Sequence, residues 1–403
     1  MKRFSSLGLL LLLVSGMVAC KTAQKQTQKQ EEQPDPRLAQ IANKVVTVSA
    51  NVKPGEVVVI TGSAQKLALM QAVAIEAAKA GGRVAPLLVT TDQLQHSYLT
   101  DVPEQYLGQP LPTNAWLNDV DVWISTGDTD DSKAVLQNVS DSRQAKTLLS
   151  AEAFRAALTK SKLREIDIGV PNQKDAEYAR VDWTAYQNML WDAINANYQE
   201  ISSKGEKLAK LLENGKSIHI TTPGGTDLTM VLGKRTAFVS AGLQQNGKPG
   251  APYLARQTEL PGGLVSVAPV ETSANGKAVA PKDTCRPYEY LRGANYTFQA
   301  GKMTSFTAAE NADCFQTFIA AYSGDKDRIA AVLIGLNPSL KVMESGDNDY
   351  RPFDAAGMVY INMGNNALLG GNNKTEFAWS IPQSNATVVV DDTTVVKDGQ
   401  LVF

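Results

Sequence analysis

The rhythm of apolar and polar positions changes several times along the chain. A short apolar run, Leu7 to Val14, follows Lys2 and Arg3 and gives way to Ser15-Gly16-Met17-Val18-Ala19-Cys20. From Lys21 to Pro36 the sequence is rich in Gln and Lys and contains no aromatic or branched aliphatic residue. Beyond it Leu38, Ile41, Ala42, Val45 and Val46 recur at helical spacing. After the Pro54-Gly55 turn, Glu56-Val57-Val58-Val59-Ile60-Thr61 is short, branched and apolar, as expected of a strand buried on both faces of a parallel sheet. A helix is expected from about Gln65 to Ala80, stopped by Gly81-Gly82, and then a strand at Arg83 to Val89. Further strands are expected at Val120 to Ser125 and Ile166 to Val170, separated by helical stretches such as Ala151 to Thr159. Strands alternating with helices imply right-handed crossovers, so residues 37–210 read as an α/β domain with a doubly wound, mostly parallel sheet.

Trp183 to Leu212 reads as one long helical region, closing near Asn214-Gly215. Strand patterns then dominate: Ser217 to Thr222, Asp227 to Leu232, Leu264 to Val267, Asn295 to Phe298, Met303 to Phe306, Met358 to Asn362 and Ala386 to Val390. Helical signal is limited to about Asn311 to Tyr322 and a weaker stretch at Asp325 to Val332. Residues 211–403 therefore read as a β-rich α+β domain.

A basic start, a short apolar core and small residues before a cleavage point make residues 1–19 an export signal. The core is too short to span a bilayer, which takes about 20 apolar residues. Cys20, placed directly after Val18-Ala19, resembles the cysteine of a bacterial lipobox, whose thiol is acylated and which becomes the new N-terminus. Each buried methylene of such an anchor adds about 0.8 kcal/mol of membrane affinity. The chain is thus expected to be exported and anchored by lipid to the cell envelope, on the outer membrane facing the periplasm or the surface. Residues 20–36 would be a flexible tether, because they cannot bury enough apolar surface to offset the entropy of ordering them.

Composition narrows the chemistry. Net charge is -2, with no basic patch, which argues against nucleic acid as a partner. Besides Cys20 there are Cys285 and Cys314; a disulfide between them is allowed outside the reducing cytosol, and free thiols are the alternative. The two histidines, His96 and His219, leave few donors for a transition metal. There is no Gly-x-Ser-x-Gly elbow and no zinc spacing around the cysteines. The turn Thr61-Gly62-Ser63-Ala64 lies where a helix N-terminus can hold phosphate, but it lacks the glycine fingerprint of dinucleotide binders and reads as an ordinary tight turn.

Glycine-rich blocks carry a more specific pattern. Val52-Lys53-Pro54-Gly55-Glu56, Gly225-Thr226-Asp227-Leu228, Leu260-Pro261-Gly262-Gly263, Gly335-Leu336-Asn337-Pro338, Gly357 to Gly364, Gly370-Gly371-Asn372 and a closing Val390-Asp391 to Asp398-Gly399 follow one another in an order that resembles the aminopeptidase T family, the M29 metallopeptidases. The resemblance spans essentially the whole chain after the tether. It implies an α/β domain followed by a β-rich domain, a homodimer, and two divalent metal ions that activate water against the amino end of a peptide. It also implies where the metal ligands stand, and this chain departs from the family at each. Leu264 takes the place of a glutamate, Ala331 of a second glutamate, and Tyr360 of a histidine. Ala378 and Ser380 take the places of a His-x-Asp pair, and Ala367 that of a tyrosine. Leucine and alanine cannot coordinate a cation, while neutral tyrosine and serine are poor substitutes. The expectation is a chain without cofactor and without the family's catalysis, binding a peptide or cell-envelope fragment or serving as a scaffold. The alternative is an active hydrolase whose metal site has moved to nearby carboxylates, Glu259, Glu271, Asp354 and Glu376.

Overall fold

The branched run after Pro54-Gly55 forms β1 (Val57–Ser63), in which every residue after the first is buried. The computed structural model describes residues 35–244, 253–286, 289–346 and 349–403; Cys20, the expected signal and the tether before Asp35 lie outside these. β1 is an inner strand of a six-stranded sheet with β2 (Arg83–Val84), β3 (Leu88–Thr90), β4 (Val122–Ser125), β5 (Arg164–Ile168) and β9 (Gln257–Leu260), in the order β2-β1-β4-β5-β9 with β3 further along β1. Every pairing in it is parallel. The expected strand at Arg83 to Val89 is split because Ala85 and Pro86 intervene, and proline has no N–H to give a ladder. The helices of this half are α1 (Arg37–Lys44), α2 (Leu67–Lys79), α3 (Asp92–Asp101), α4 (Ser132–Leu136), α5 (Asp141–Lys160) and α6 (Gln173–Ala179).

The long helical region is broken into α7 (Trp183–Ile194) and α8 (Tyr198–Asn214), because Asn197 leaves the helix and its side chain accepts from the N–H of Glu200 as an N-cap. Two antiparallel sheets follow. One has eight strands: β6 (Ser217–Thr221), β7 (Asp227–Val231), β11 (Asn275–Arg286), β12 (Glu289–Gln299), β13 (Lys302–Thr307), β17 (Thr387–Val390), β18 (Thr393–Lys397) and β19 (Gln400–Leu401). The other has five, in the order β16-β15-β14-β10-β8: β8 (Phe238–Ser240), β10 (Leu264–Val267), β14 (Ile329–Gly335), β15 (Val359–Gly364) and β16 (Ala378–Gln383). One face of the five-stranded sheet, including Val265, Val332, Ile334, Ile361 and Ile381, joins Ile218, Leu228, Met230 and Tyr296 of the eight-stranded sheet in a common core. Residues Asp325 to Val332, expected to be weakly helical, instead lead into β14, the central strand, buried along its whole length. A continuous apolar run fits a two-face-buried strand as well as a helix, and here the neighbouring strands decide it.

The boundary expected near residue 210 is crossed: β9, from the later half, completes the parallel sheet beside β5. Residues Pro36–Phe403 accordingly form one compact unit. Cys285 at the end of β11 is bonded to Cys314 on α9 (Ala312–Ala320), with a sequence separation of 29. Closing a loop of that length removes unfolded-chain entropy equivalent to about 3–4 kcal/mol. The double variant Cys285→Ser/Cys314→Ser should lose about that much stability in denaturant titration; an unchanged midpoint would show that the bond constrains nothing.

Candidate functional site

Side chains alternate across a strand, so residues directly opposite one another in a sheet share a face. In the five-stranded sheet Leu264 pairs with Gly335 and Ser240, Tyr360 with Leu333, Ala331 with Asn362, Asn362 with Ser380, and Gly364 with Ala378. Leu264, Ala331, Tyr360, Ala378 and Ser380 therefore stand on one face, the face turned away from the common core. Ala367 lies in the short helical turn that follows β15. The five positions taken from separate sequence blocks thus converge.

Part of that face is filled by apolar side chains, beside the polar Ser240, Ser266, Asn362 and Ser380. Ala331 (3% exposed), Leu333 and Tyr360 (5% exposed) belong to a separate hydrophobic cluster with Ala176 of α6 and Tyr186, Met189 and Leu190 of α7, and Leu264 packs against it. The Tyr360 hydroxyl donates to the carbonyl oxygen of Arg351 at 2.8 Å, and its ring lies 4.2 Å from that of Phe353. Burial pushes the phenol well above its ordinary pKa, so it stays neutral. Ala378 is exposed and Ser380 half-buried at the rim. Two divalent ions do not fit this set: two of the five side chains are aliphatic and enclosed, one is methyl-only at the edge, and the phenol is committed to a backbone carbonyl.

Two cavities flank the face. The first, about 530 Å³, is lined by Leu264, Ser240, Ser266, Glu259 and Glu376, among others. The second, about 500 Å³, is lined by Tyr360, Ala378, Ser380, Arg351 and Asp283. Of the carboxylates considered for a relocated site, Glu259 and Glu376 share the first cavity. Asp354 does not line it; its Oδ1 is enclosed without a hydrogen-bond partner, and burial, then the charge of Glu259, push its pKa up to about 8. Glu271 is occupied elsewhere, accepting from Arg235 at 2.8 Å and from the N–H of Asn372 at 2.7 Å, and these bonds outweigh burial to hold it at about 2. Among the described residues no three His, Cys, Asp or Glu side chains are grouped so as to hold a metal ion.

The histidines lie outside this arrangement. His219 is bonded to Asp227 at 2.8 Å on the eight-stranded sheet, and His96 meets the carbonyl oxygen of Val135 at 3.0 Å. The turn at Thr61 to Ala64 is locked from within. Ser63 Oγ donates to Asp130 at 2.5 Å, while Lys66 Nζ donates to the carbonyls of Gly127 and Thr129, each at 3.0 Å. A cation already engaged in this way is not offered to a phosphate.

The parallel sheet also brings Glu259 beside two acids, Glu165 and Asp167, that sequence reasoning does not single out. On β5, Glu165 and Asp167 alternate with Ile166 and Ile168, and Asp167 stands opposite Glu259 on β9. Burial raises the pKa of all three, and repulsion from neighbouring acids adds to it. Glu165 accepts a hydrogen bond from the Tyr253 hydroxyl, and Gln257 donates to Asp167 at 3.3 Å. The signal that could have found them is the period-two placement of acids in Arg164-Glu165-Ile166-Asp167-Ile168.

The sequence profile of the thermophilic metalloprotease family M29 matches residues 34–327. The chain belongs to this family. Among solved structures, wild-type AmpT from Thermus thermophilus superposes on this M29 member with a TM-score of 0.71 at 16% identity, covering 91% of this chain and 99% of that one. The 2,5-dihydroxypyridine dioxygenase from Pseudomonas putida is similar over 91% of this chain and 96% of its own, with a TM-score of 0.59 at 17% identity. At such identities the likeness shows a shared fold and nothing about chemistry. No curated protein matches the sequence.

Proposed function

We propose that this M29 member is an exported lipoprotein that does not carry out two-metal peptide hydrolysis and that holds a peptide or cell-envelope fragment in the cleft beside the five-stranded sheet. The observation that supports it is the convergence of Leu264, Ala331, Tyr360, Ala378 and Ser380 on one face, where the first three join an apolar cluster and none offers a carboxylate or an imidazole. Anchoring would come from acylation of Cys20 and the polar tether after it; no helix among the described residues is long and apolar enough to cross a membrane. A hydrolase with a relocated carboxylate site has Glu259 and Glu376 in one cavity but no third donor grouped with them among the described residues.

Protein purified without chelator and then incubated with zinc, cobalt or manganese should hold far less than one ion per chain and release no amino acid from peptides. Stoichiometric metal together with amino-acid release would overturn the reading. Metal content is read by elemental analysis and release by amine-reactive detection, so the two arms are independent.

A further inference from the structure

The first cavity has a composition that its neighbours do not explain. Ser240 and Ser266 are 8% and 6% exposed and line it from β8 and β10, yet neither hydroxyl is bonded to a described residue. Both hydroxyls are reached from the cavity and are free to meet water or a ligand there. Glu259 and Glu376 also lack a counter-ion among the described residues. The lining also holds a cation, Arg155, exposed on α5 and near Tyr253. Behind Glu259 lies Asp167, whose negative charge opposes ionisation of Glu259, a repulsion that an added positive charge would relieve. Phe238, Leu264 and Leu369 give the wall an apolar stretch, and Gln257, Asn365 and Asn366 complete it with amides. The cavity lies along β9, the strand at the edge of the parallel sheet.

We propose that this cavity binds a linear aliphatic di- or polyamine, its ammonium groups held by Glu259, Glu376 and the two serine hydroxyls and its methylene stem lying against Leu264 and Phe238. Its volume falls in the usual range for small-molecule sites, roughly 300–1,000 Å³. A single metal ion is the competing cation, but no three acids are grouped to coordinate one among the described residues. An extended cation suits carboxylates that reach the cavity from different sheets, Glu259 on β9 and Glu376 just before β16. Amine binding here rests on the cavity being a binding site and is independent of whether catalysis survives.

Isothermal titration calorimetry of the purified protein with spermidine and putrescine tests it. Saturable one-to-one binding of spermidine is expected, weakened about tenfold in Glu259→Gln and in Glu376→Gln, a few-fold in Ser266→Ala, and unchanged in Glu206→Gln, an exposed acid on α8. Glu376 is exposed, so its variant should fold even where the Glu259 variant does not. Three results would each overturn the proposal: no saturable heat at millimolar spermidine, unchanged affinity in folded Glu376→Gln, or equally tight binding of calcium or of the zwitterionic dipeptide Gly-Leu. Peptide hydrolysis by a metal-loaded sample would sink the non-catalytic reading and leave this test standing.

Discussion

Ala331→Glu, which writes back the side chain that the M29 pattern has at this position, should cost about 4–8 kcal/mol and gain no metal. Ala331 is 3% exposed on the central strand and belongs to the apolar cluster with Met189, Leu190 and Tyr360. A carboxylate placed there has no cation to pair with, which costs about 3–5 kcal/mol, and its added methylenes overpack the cluster by about 1–3 kcal/mol more. Domains are stable by only about 5–15 kcal/mol, so the variant should stand near the edge of folding. Chemical denaturation measures it, with Ala331→Val as the control for overpacking alone. If Ala331→Glu folds as stably as the parent, or takes up zinc in proportion to protein, the face is an open site and not a packed one.

Raising the pH from 5 to 8 should lower the thermal unfolding midpoint, with Asp354 and Asp283 the largest contributors; Asp283 is the one of the two with side-chain hydrogen-bond partners. This side chain is 2% exposed; it accepts from Tyr296 at 2.9 Å and from the N–H of Thr284 at 2.8 Å, and Tyr296 in turn accepts from Trp379 Nε1 at 3.1 Å. Burial outweighs these bonds and pushes its pKa from 3.8 up to about 7. Between those values the folded chain binds more protons than the unfolded one, so stability falls as pH rises through that window. A shift of that size corresponds to about 4 kcal/mol, fully present below the lower value and lost above the upper. Glu165, Asp167, Glu259 and Asp354 are also raised and act in the same direction. Glu271, held at about 2, acts oppositely and sets the acid limit, its contribution being lost as pH falls from about 4.5. A mildly acidic optimum follows. Asp283→Asn should flatten the slope between pH 5 and 7 in thermal scans; the same slope in both proteins would remove Asp283 as a contributor.

Strands with a distinctive local pattern are legible in the amino-acid sequence. β1, β4 and β10 fall close to where branched or apolar runs place them, because burial on both faces demands such runs. β14 is not legible, since Ile329-Ala330-Ala331-Val332 has no period of its own and only pairing with β10 and β15 makes it a strand. β9 escapes for a related reason: Gln257-Thr258-Glu259-Leu260 is polar at three of its four places, and its role lies in completing a sheet whose adjacent strand, β5, stands about 90 residues earlier. The positions matched to the family's ligands can be named from the sequence, but their common place cannot. That Leu264 and Ser380 share a face depends on the register of the strands between them.

Local sequence was enough for the α/β beginning and the β-rich remainder, because propensity and periodicity are properties of short stretches. It was not enough for the apolar cluster on the face of Leu264 and Tyr360, the Cys285–Cys314 bond, or the pairing of Asp167 with Glu259. Those come from residues far apart in the chain, and long-range register, which no short window encodes, brings them together.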